Sequence, residues 1–127
     1  MHMDPKRILV VDDGITMRLF YRDVLEKEGF AVEEAVNGLE GLERAMLGRF
    51  DLILIDVNMP KMDGFTLVDR LRREPPLAAL PVLMISTEAA AGDEVRALEL
   101  GANLYMVKPA QPAALAAAAR LMTGVPL

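Results

Sequence analysis

Residues Leu52 to Pro60 read LILIDVNMP, and this stretch decides how the rest of the chain is interpreted. A short run of branched apolar residues ends abruptly at one carboxylate, Asp56, and the chain then turns at Met59-Pro60. A short apolar run without alternation is typical of a strand that is buried on both faces of a sheet. We interpret Asp56 as a side chain that the strand delivers to the mouth of the sheet, where a ligand must reach it.

Composition narrows the classes of protein that this chain can belong to. Its 127 residues fit one domain, and a hydrophobic fraction of 53% is ample for a core. The net charge of −5 and the lack of a long basic run argue against nucleic acid as a direct ligand. The absence of cysteine excludes disulfides and thiol nucleophiles, and a single histidine, His2, excludes a histidine-based metal site or triad.

No feature of the sequence predicts membrane insertion or export. No apolar run approaches the roughly 18 residues of a membrane span, and no signal sequence opens the chain. We therefore expect a cytoplasmic protein without membrane insertion. We expect an N-terminal extension or tag remnant over residues 1–6, one domain over residues 7–123, and a C-terminal tail over residues 124–127.

Apolar strands alternate with helical patterns along the whole chain. Five predicted strands, each followed by a predicted helix, favour an α/β fold with a parallel sheet that helices cover on both faces. Charged residues in the second strand, Glu33 and Glu34, suit a sheet edge. The strands are predicted at Ile8–Val11, Ala31–Ala35, Leu52–Ile55, Pro81–Ile85 and Leu104–Val107.

Two helices carry specific predictions about their buried faces. The second helix is predicted to begin after Asn37, which is a favourable capping residue. In the fourth helix, Val95 and Leu98 are expected to face inward. The apolar residues of the second helix recur at the helical period and are expected to form its buried stripe: Leu39, Leu42, Ala45 and Met46.

Polar side chains follow four of the five predicted strands, at the point where each strand ends. In a parallel sheet these ends lie on one edge, and ligands bind at that edge near the point where strand order reverses. Three carboxylates, one or two hydroxyls and one amine are therefore expected to converge. These residues are Asp12 and Asp13 after the first strand, Asp56 after the third, Ser86 and Thr87 after the fourth, and Lys108 after the fifth.

This set of groups predicts a magnesium site with phosphoryl chemistry. Two carboxylates about 5 Å apart repel by roughly 3 kcal/mol at an effective dielectric constant near 20. An all-oxygen pocket with net negative charge favours Mg²⁺, which accepts phosphoryl oxygens as further ligands. With the cation bound, Asp56 is a candidate nucleophile toward phosphorus. Lys108 would neutralise charge on the transferred oxygens, and the Ser86 hydroxyl would donate to one of them.

These residues resemble the receiver domain of bacterial two-component response regulators, and most of all the single-domain chemotaxis regulators of the CheY type. The resemblance covers residues 7 to about 122 and implies a flavodoxin-like sheet of strand order 2-1-3-4-5 with five helices. The motifs that carry it are LVVDD with Asp12-Asp13, DVNMPKMDG with Asp56, PVLMISTEA with Ser86, and YMVKP with Tyr105 and Lys108.

The resemblance implies a role for each residue of the pocket. Asp56 would accept a phosphoryl group from a histidine kinase. Asp13, Asp56 and the backbone carbonyl of Asn58 would bind Mg²⁺ directly, and Asp12 would act through a water molecule. Lys108 would hold a phosphoryl oxygen. The chain would then catalyse only its own phosphorylation and dephosphorylation and would not be an enzyme in any other sense.

The resemblance also implies a switch that reports phosphorylation. The Ser86 hydroxyl would move toward the phosphoryl group, and the Tyr105 ring would turn inward, as a population shift between two existing states. The surface of helix four, strand five and helix five would then control an output partner, in chemotaxis or in another phosphorelay.

Several residues near the acceptor bear on the rates of phosphorylation and decay. Asn58 and Glu88 resemble the residues of chemotaxis regulators, whose acyl phosphates are short-lived, so we expect a short-lived signal. Thr87 stands where the family usually has alanine or glycine, and its branched side chain is expected to narrow access to Asp56. Ala110 stands where an aromatic residue is common.

Other interpretations of the same residues stay open at this point. A small Mg²⁺-dependent phosphatase of the haloacid dehalogenase type also uses an aspartate nucleophile, but it needs a second aspartate where this chain has Asn58. A degenerate receiver would bind a partner without phosphorylation. A nucleotide-binding fold would need a glycine-rich loop where Asp12-Asp13 stands. Thr87 could replace Ser86 as the working hydroxyl, and Tyr105 could be a static aromatic residue.

Overall fold

Five parallel strands form the centre of the fold, in the order β2-β1-β3-β4-β5. The computed structural model describes residues 4–87 and 91–127. A short 3₁₀ turn at Pro75–Leu77 lies between α3 and β4. The elements run β1 Arg7–Val11, α1 Ile15–Lys27, β2 Ala31–Ala35, α2 Gly38–Leu47, β3 Leu52–Asp56, α3 Gly64–Arg73, β4 Val82–Ser86, α4 Ala91–Leu100, β5 Leu104–Val107 and α5 Pro112–Thr123.

The strand order confirms the predicted doubly wound topology with five helices. The stretch Leu52–Asp56 is the central strand, it pairs with β1 and β4, and all of its residues are buried. β2 is an edge strand, as its two glutamates indicated, and Glu34 there pairs with Arg18 and Arg22 of α1. Among the helices of residues 4–87 and 91–127, none is long and apolar enough to span a bilayer.

Alternation along the strands divides the core into two layers. Side chains such as Leu9 and Ile53 face a layer formed with α2, α3 and α4. Val10 and Leu54 face the opposite layer, which α1 and α5 complete. Because strand side chains alternate with a period of two, the residue two positions after each of these lies on the same face. This alternation decides which way the side chains at the strand ends point.

The predicted buried stripe of α2 is wrong at two positions. Leu39 and Met46 are exposed, whereas Gly38, Gly41 and Ala45 are the buried residues of this helix. The reason is a close approach between the helix and the sheet. A Cβ atom on Gly41 would lie 2.9 Å from the side chain of Val11, so small residues must face β1. The N-cap prediction is confirmed, because the Asn37 side chain accepts from the Glu40 N–H at 2.9 Å.

The prediction for α4 is also wrong. Val95 is 52% exposed and Leu98 is 45% exposed, while Ala97 is fully buried. α4 packs against α3, and the Arg96 guanidinium lies 4.2 Å from the centre of the Phe65 ring. The helix therefore buries the small Ala97 in its middle and leaves Val95 and Leu98 exposed, while Leu100 at its end packs against the core.

One arginine at the end of α3 joins the two connecting segments that lead into β4 and β5, at the edge of the sheet opposite the acidic strand ends. The Nε and Nη2 atoms of Arg72 donate to the Gly101 carbonyl at 3.0 and 2.7 Å. Its Nη1 atom donates to the carbonyls of Leu77 and Leu80 at 3.2 and 2.7 Å. Its Nη2 atom also donates to the Asn103 side chain at 3.0 Å. A planar fork of donors makes this arrangement possible, and a lysine cannot reproduce it.

We predict that Arg72→Lys lowers the free energy of unfolding by about 2 kcal/mol, because carbonyl groups lose charge-assisted hydrogen bonds. Urea denaturation would measure this change. The neighbouring substitution Arg73→Lys is the matched control, since that side chain is 73% exposed and makes only an i,i+4 ion pair with Asp69 among the described contacts. Its effect should stay within about 0.5 kcal/mol. Equal effects of the two substitutions would contradict the role of Arg72.

Candidate functional site

Three carboxylates meet at the C-terminal edge of the sheet. Asp56 is the last residue of β3, and Asp12 and Asp13 directly follow β1. One oxygen of each carboxylate lies within 4.8 Å of the others. Asp12 and Asp56 are buried, at 1% and 4% exposure, whereas Asp13 is exposed. The cluster is therefore a pocket with a buried floor and an open mouth.

Lys108 places its ammonium group against the floor of this pocket. Its Nζ atom lies 3.1 Å from Oδ1 of Asp56 and 3.8 Å from Oδ2 of Asp12. The Lys108 N–H donates to the Ser86 carbonyl at 2.7 Å, which extends the pairing of β4 and β5 to the residue that carries the amine. The Lys108–Pro109 peptide bond is cis. Backbone pairing thus brings the amine to the acids across 52 residues of sequence.

The backbone around Asp12 holds its carboxylate in one orientation. Its Oδ1 atom accepts from the Gly14 N–H at 2.8 Å. The Asp12 carbonyl accepts from Nη1 of Arg18 at 2.9 Å, and the same guanidinium pairs with Glu34 at 2.9 Å. Within residues 4–87 and 91–127, the Oδ2 atom of Asp12 has no hydrogen-bond partner although it is buried. The ammonium of Lys108 lies 3.8 Å from this oxygen, which is beyond hydrogen-bond distance.

Burial dominates the electrostatics of the two inner carboxylates. It raises the pKa of Asp56, although hydrogen bonds from Lys108 and from the Asn58 N–H act in the opposite direction. It also raises the pKa of Asp12, against the hydrogen bond from Gly14, and the charge of Asp56 adds to this rise. One ammonium therefore does not offset the cost of holding these carboxylates ionised in the pocket.

The residues present fit a divalent cation that prefers oxygen ligands. Three convergent carboxylates supply oxygen donors. The Oδ2 atom of Asp12, which has no hydrogen-bond partner in the described part of the chain, is a buried acceptor that a cation or its bound water would satisfy. Asn58 is exposed beside the mouth, and its N–H donates to Asp56. The role of its carbonyl as a metal ligand stays a prediction.

The other predicted residues lie at the same edge or under it. Ser86 is fully buried as the last residue of β4, and Thr87 follows it on the surface. Tyr105 belongs to β5, and its side chain is buried in the core layer that α4 completes. Glu88, which we expected to influence the lifetime of the acyl phosphate, lies outside the described residues.

Sequence reasoning missed two residues that contact or underlie the pocket. The first is Arg18, for which a cation near the start of the helix that follows an acidic pair is a usable signal. The second is Tyr21 of α1, which the sequence alone does not distinguish from an ordinary core aromatic residue. In the structure it is fully buried, and its hydroxyl has no hydrogen-bond partner in the part of the chain described.

Comparison with known sequences gives a family match over most of the chain. Residues 8–120 match the response regulator receiver domain. The gliding motility regulatory protein of Myxococcus xanthus is 41% identical over 102 residues, which are 80% of this chain and 13% of that protein. The chain spans less than half of the length of the curated relatives it matches.

Solved structures agree in fold over nearly the full length. The Vibrio cholerae chemotaxis protein CheY4 has a TM-score of 0.88 and 35% identity, covering 93% of this chain and 98% of that one. The receiver domain of the sensor histidine kinase PA1611 from Pseudomonas aeruginosa PAO1, solved with a magnesium ion coordinated in its active-site cleft, has a TM-score of 0.88 and 26% identity. The matched region covers 94% of this chain and 97% of the PA1611 receiver domain.

The family match, the strand order and the acidic edge all lead to one assignment. Receiver domains bind Mg²⁺ in an acidic pocket and interact with histidine kinases and output partners, and this chain has the fold and the aspartate cluster of such a domain. The chain belongs to the response regulator receiver domain family of two-component systems.

Proposed function

We propose that this chain is a phospho-accepting response regulator in which Asp56 takes a phosphoryl group from a phosphohistidine of a histidine kinase, with Mg²⁺ bound. The observation that carries this proposal is the contact of 3.1 Å between Nζ of Lys108 and Oδ1 of Asp56, inside a cluster of three carboxylates. An ammonium group at this position would face the oxygens of a phosphoryl group on Asp56.

The chemistry requires few groups because the transfer is a displacement at phosphorus. A carboxylate oxygen of Asp56 forms a bond to phosphorus while the bond from phosphorus to the imidazole nitrogen breaks, and the electron pair stays on that nitrogen. Lys108 then balances charge on one phosphoryl oxygen, and the Ser86 hydroxyl donates to another. These two residues are neighbours across the β4–β5 pairing, which supports their joint role.

Mg²⁺ supplies the positive charge that the pocket lacks. Asp13, Asp56 and the carbonyl of Asn58 would hold it, and Asp12 would act through a water molecule. The exposure of Asp13 supports this arrangement, because it leaves the mouth of the pocket open to the cation and to the phosphoryl donor.

Phosphorylation would be reported on the surface of α4, β5 and α5 through Ser86 and Tyr105. This surface carries large apolar side chains that are exposed, namely Val95, Leu98 and Val107. Apolar residues on an exposed face are suited to an output partner that covers them. Chemotaxis and other phosphorelays both use such partners, and the proposal extends to either.

The proposal predicts that the protein gains the mass of one phosphoryl group when it is mixed with Mg²⁺ and acetyl phosphate. Asp56→Asn should gain none, because an amide cannot form the acyl phosphate. Intact-mass spectrometry would measure both, and chelation of Mg²⁺ should abolish the gain. A wild-type protein that stays unmodified would support a degenerate receiver, and an Asp56→Asn protein that is still modified would exclude Asp56 as the acceptor.

We predict that Asp12→Asn raises the free energy of unfolding of the metal-free protein at pH 7 by about 1 kcal/mol, since it removes a buried carboxylate from a repulsive cluster. A raised pKa means that Asp12 contributes stability below its ordinary pKa of 3.8 and loses it as the pH rises through the folded value. The gain of the variant should therefore shrink as the pH falls. Thermal denaturation between pH 4 and pH 8 would measure it.

The control for this pH dependence is Asp23→Asn, because that carboxylate is 63% exposed and pairs only with Lys27 among the described contacts. It should change stability by less than about 0.5 kcal/mol. Mg²⁺ should stabilise the wild type more than Asp12→Asn. A loss of stability in Asp12→Asn at pH 7 would show that the carboxylates do not repel one another in the metal-free state.

Thr87 is exposed next to Ser86, at the side of the pocket where a phosphoryl donor would enter. We predict that Thr87→Ala raises the rate of phosphorylation by acetyl phosphate severalfold, because a smaller side chain widens access to Asp56. Thr87→Val, which keeps the branched shape, is the matched control and should keep the wild-type rate. An unchanged rate in Thr87→Ala would refute the steric role.

A further inference from the structure

The hydroxyl group of Tyr21 is a polar group inside an otherwise apolar layer. Tyr21 is fully buried among the core residues between the sheet and the helices α1 and α5, and its hydroxyl oxygen has no hydrogen-bond partner in residues 4–87 and 91–127. Buried polar atoms are nearly always hydrogen-bonded, because an unpaired one forfeits its bonds to water. A tyrosine at this position therefore needs an explanation that a phenylalanine would not need.

The direction of α1 favours an orientation of this hydroxyl toward the acidic pocket. The helix begins at Ile15, next to the pocket, and runs away from it. Side chains on a helix tilt toward its N-terminus, so the Tyr21 ring leans back toward the strand ends. The ring lies in the same layer as Val10 and Leu54. Alternation puts Asp12 and Asp56, two positions further along those strands, on that same face.

Electrostatics agree with this placement. Burial is the main cause that raises the pKa of the Tyr21 hydroxyl, and the negative charges of Asp12 and Asp56 raise it further. Both inner carboxylates of the pocket therefore act on this one phenol, which stays protonated and keeps its hydrogen available for donation.

The described residues contain two buried side-chain oxygens without a hydrogen-bond partner, and they are complementary. One is the Tyr21 hydroxyl, which is a donor, and the other is Oδ2 of Asp12, which is an acceptor. Because the Gly14 N–H holds Oδ1 of Asp12 at 2.8 Å, Oδ2 is the oxygen of this carboxylate that a further donor would reach.

We propose that Tyr21 is a positioning residue beneath the pocket, whose hydroxyl donates to Oδ2 of Asp12 when the carboxylates close around a divalent cation. The proposal rests on the magnesium site of the proposed function. Without the cation, the hydroxyl would stay without a partner among the residues that the structure describes. In the loaded protein it fixes the orientation of the carboxylate that holds a metal-bound water, as groups hydrogen-bonded to metal ligands do elsewhere.

A purely structural role for Tyr21 makes a different prediction. Ala110 is a small buried residue in the same layer, and the aromatic ring of Tyr21 adds bulk to that layer. If volume were the whole role, Phe would serve at least as well, because it fills the same space without burying an unpaired oxygen. Removal of the hydroxyl oxygen by Tyr21→Phe therefore distinguishes the two roles.

The test compares the wild type with Tyr21→Phe by isothermal titration with MgCl₂ and by thermal denaturation without metal. We expect the affinity for Mg²⁺ to fall about tenfold in Tyr21→Phe, with a melting temperature without metal that is unchanged or higher. The control is Thr123→Val, which removes a buried hydroxyl that donates to the Ala119 carbonyl at 2.7 Å on α5. It should lower the melting temperature and leave the affinity for Mg²⁺ unchanged.

Two results would overturn the inference alone. Equal affinities of the wild type and Tyr21→Phe would show that the hydroxyl does not act on the metal site. A lower melting temperature of metal-free Tyr21→Phe would show that the hydroxyl already has a partner in that state. A wild-type protein that binds no Mg²⁺ would overturn the proposed function as well, so the two failures are distinguishable.

Discussion

The central constraint on this structure is the repulsion among three carboxylates that the backbone holds close together. Asp12, Asp13 and Asp56 come from the ends of two neighbouring strands, β1 and β3, whose pairing keeps their backbones close together. Lys108 supplies one positive charge against three negative ones. The pocket therefore holds unfavourable charge in the metal-free state, and a bound cation relieves it. The proposed affinity for Mg²⁺ follows from this imbalance, and the bound cation would then supply the positive charge that a phosphoryl group requires.

The fold provides this arrangement through two simple rules. Parallel pairing aligns the strand ends on one edge, and alternation decides which of the end residues point into the same layer. Asp12 and Asp56 follow Val10 and Leu54 by two positions, so both carboxylates lie above the layer that contains Tyr21. The acidic pocket therefore lies directly next to this apolar layer of the core, and the hydroxyl of Tyr21 lies within that layer.

Sequence reasoning predicted the elements whose signals are local. Five apolar runs, four of them followed by acids, a hydroxyl or an amine, were enough to predict the parallel sheet and the position of the acidic pocket. The strand order came from the resemblance to receiver domains. The buried faces of α2 and α4 could not be predicted from large apolar residues, because Gly41 and Ala97 make the close contacts and Leu39 and Val95 stay exposed. The contacts of Arg18 and Tyr21 depend on helix orientation, which periodicity does not give.

The measurement that tests the account most directly is a titration of the wild-type protein with Mg²⁺ at pH 7, followed by the backbone amide signals in NMR spectra. Saturable shifts should concentrate at Asp13, Asp56, Asn58 and Lys108, on the single edge where the carboxylates meet. Shifts that do not saturate, or that concentrate at the opposite edge around Arg72, would contradict the claim that these groups form one cation-seeking site.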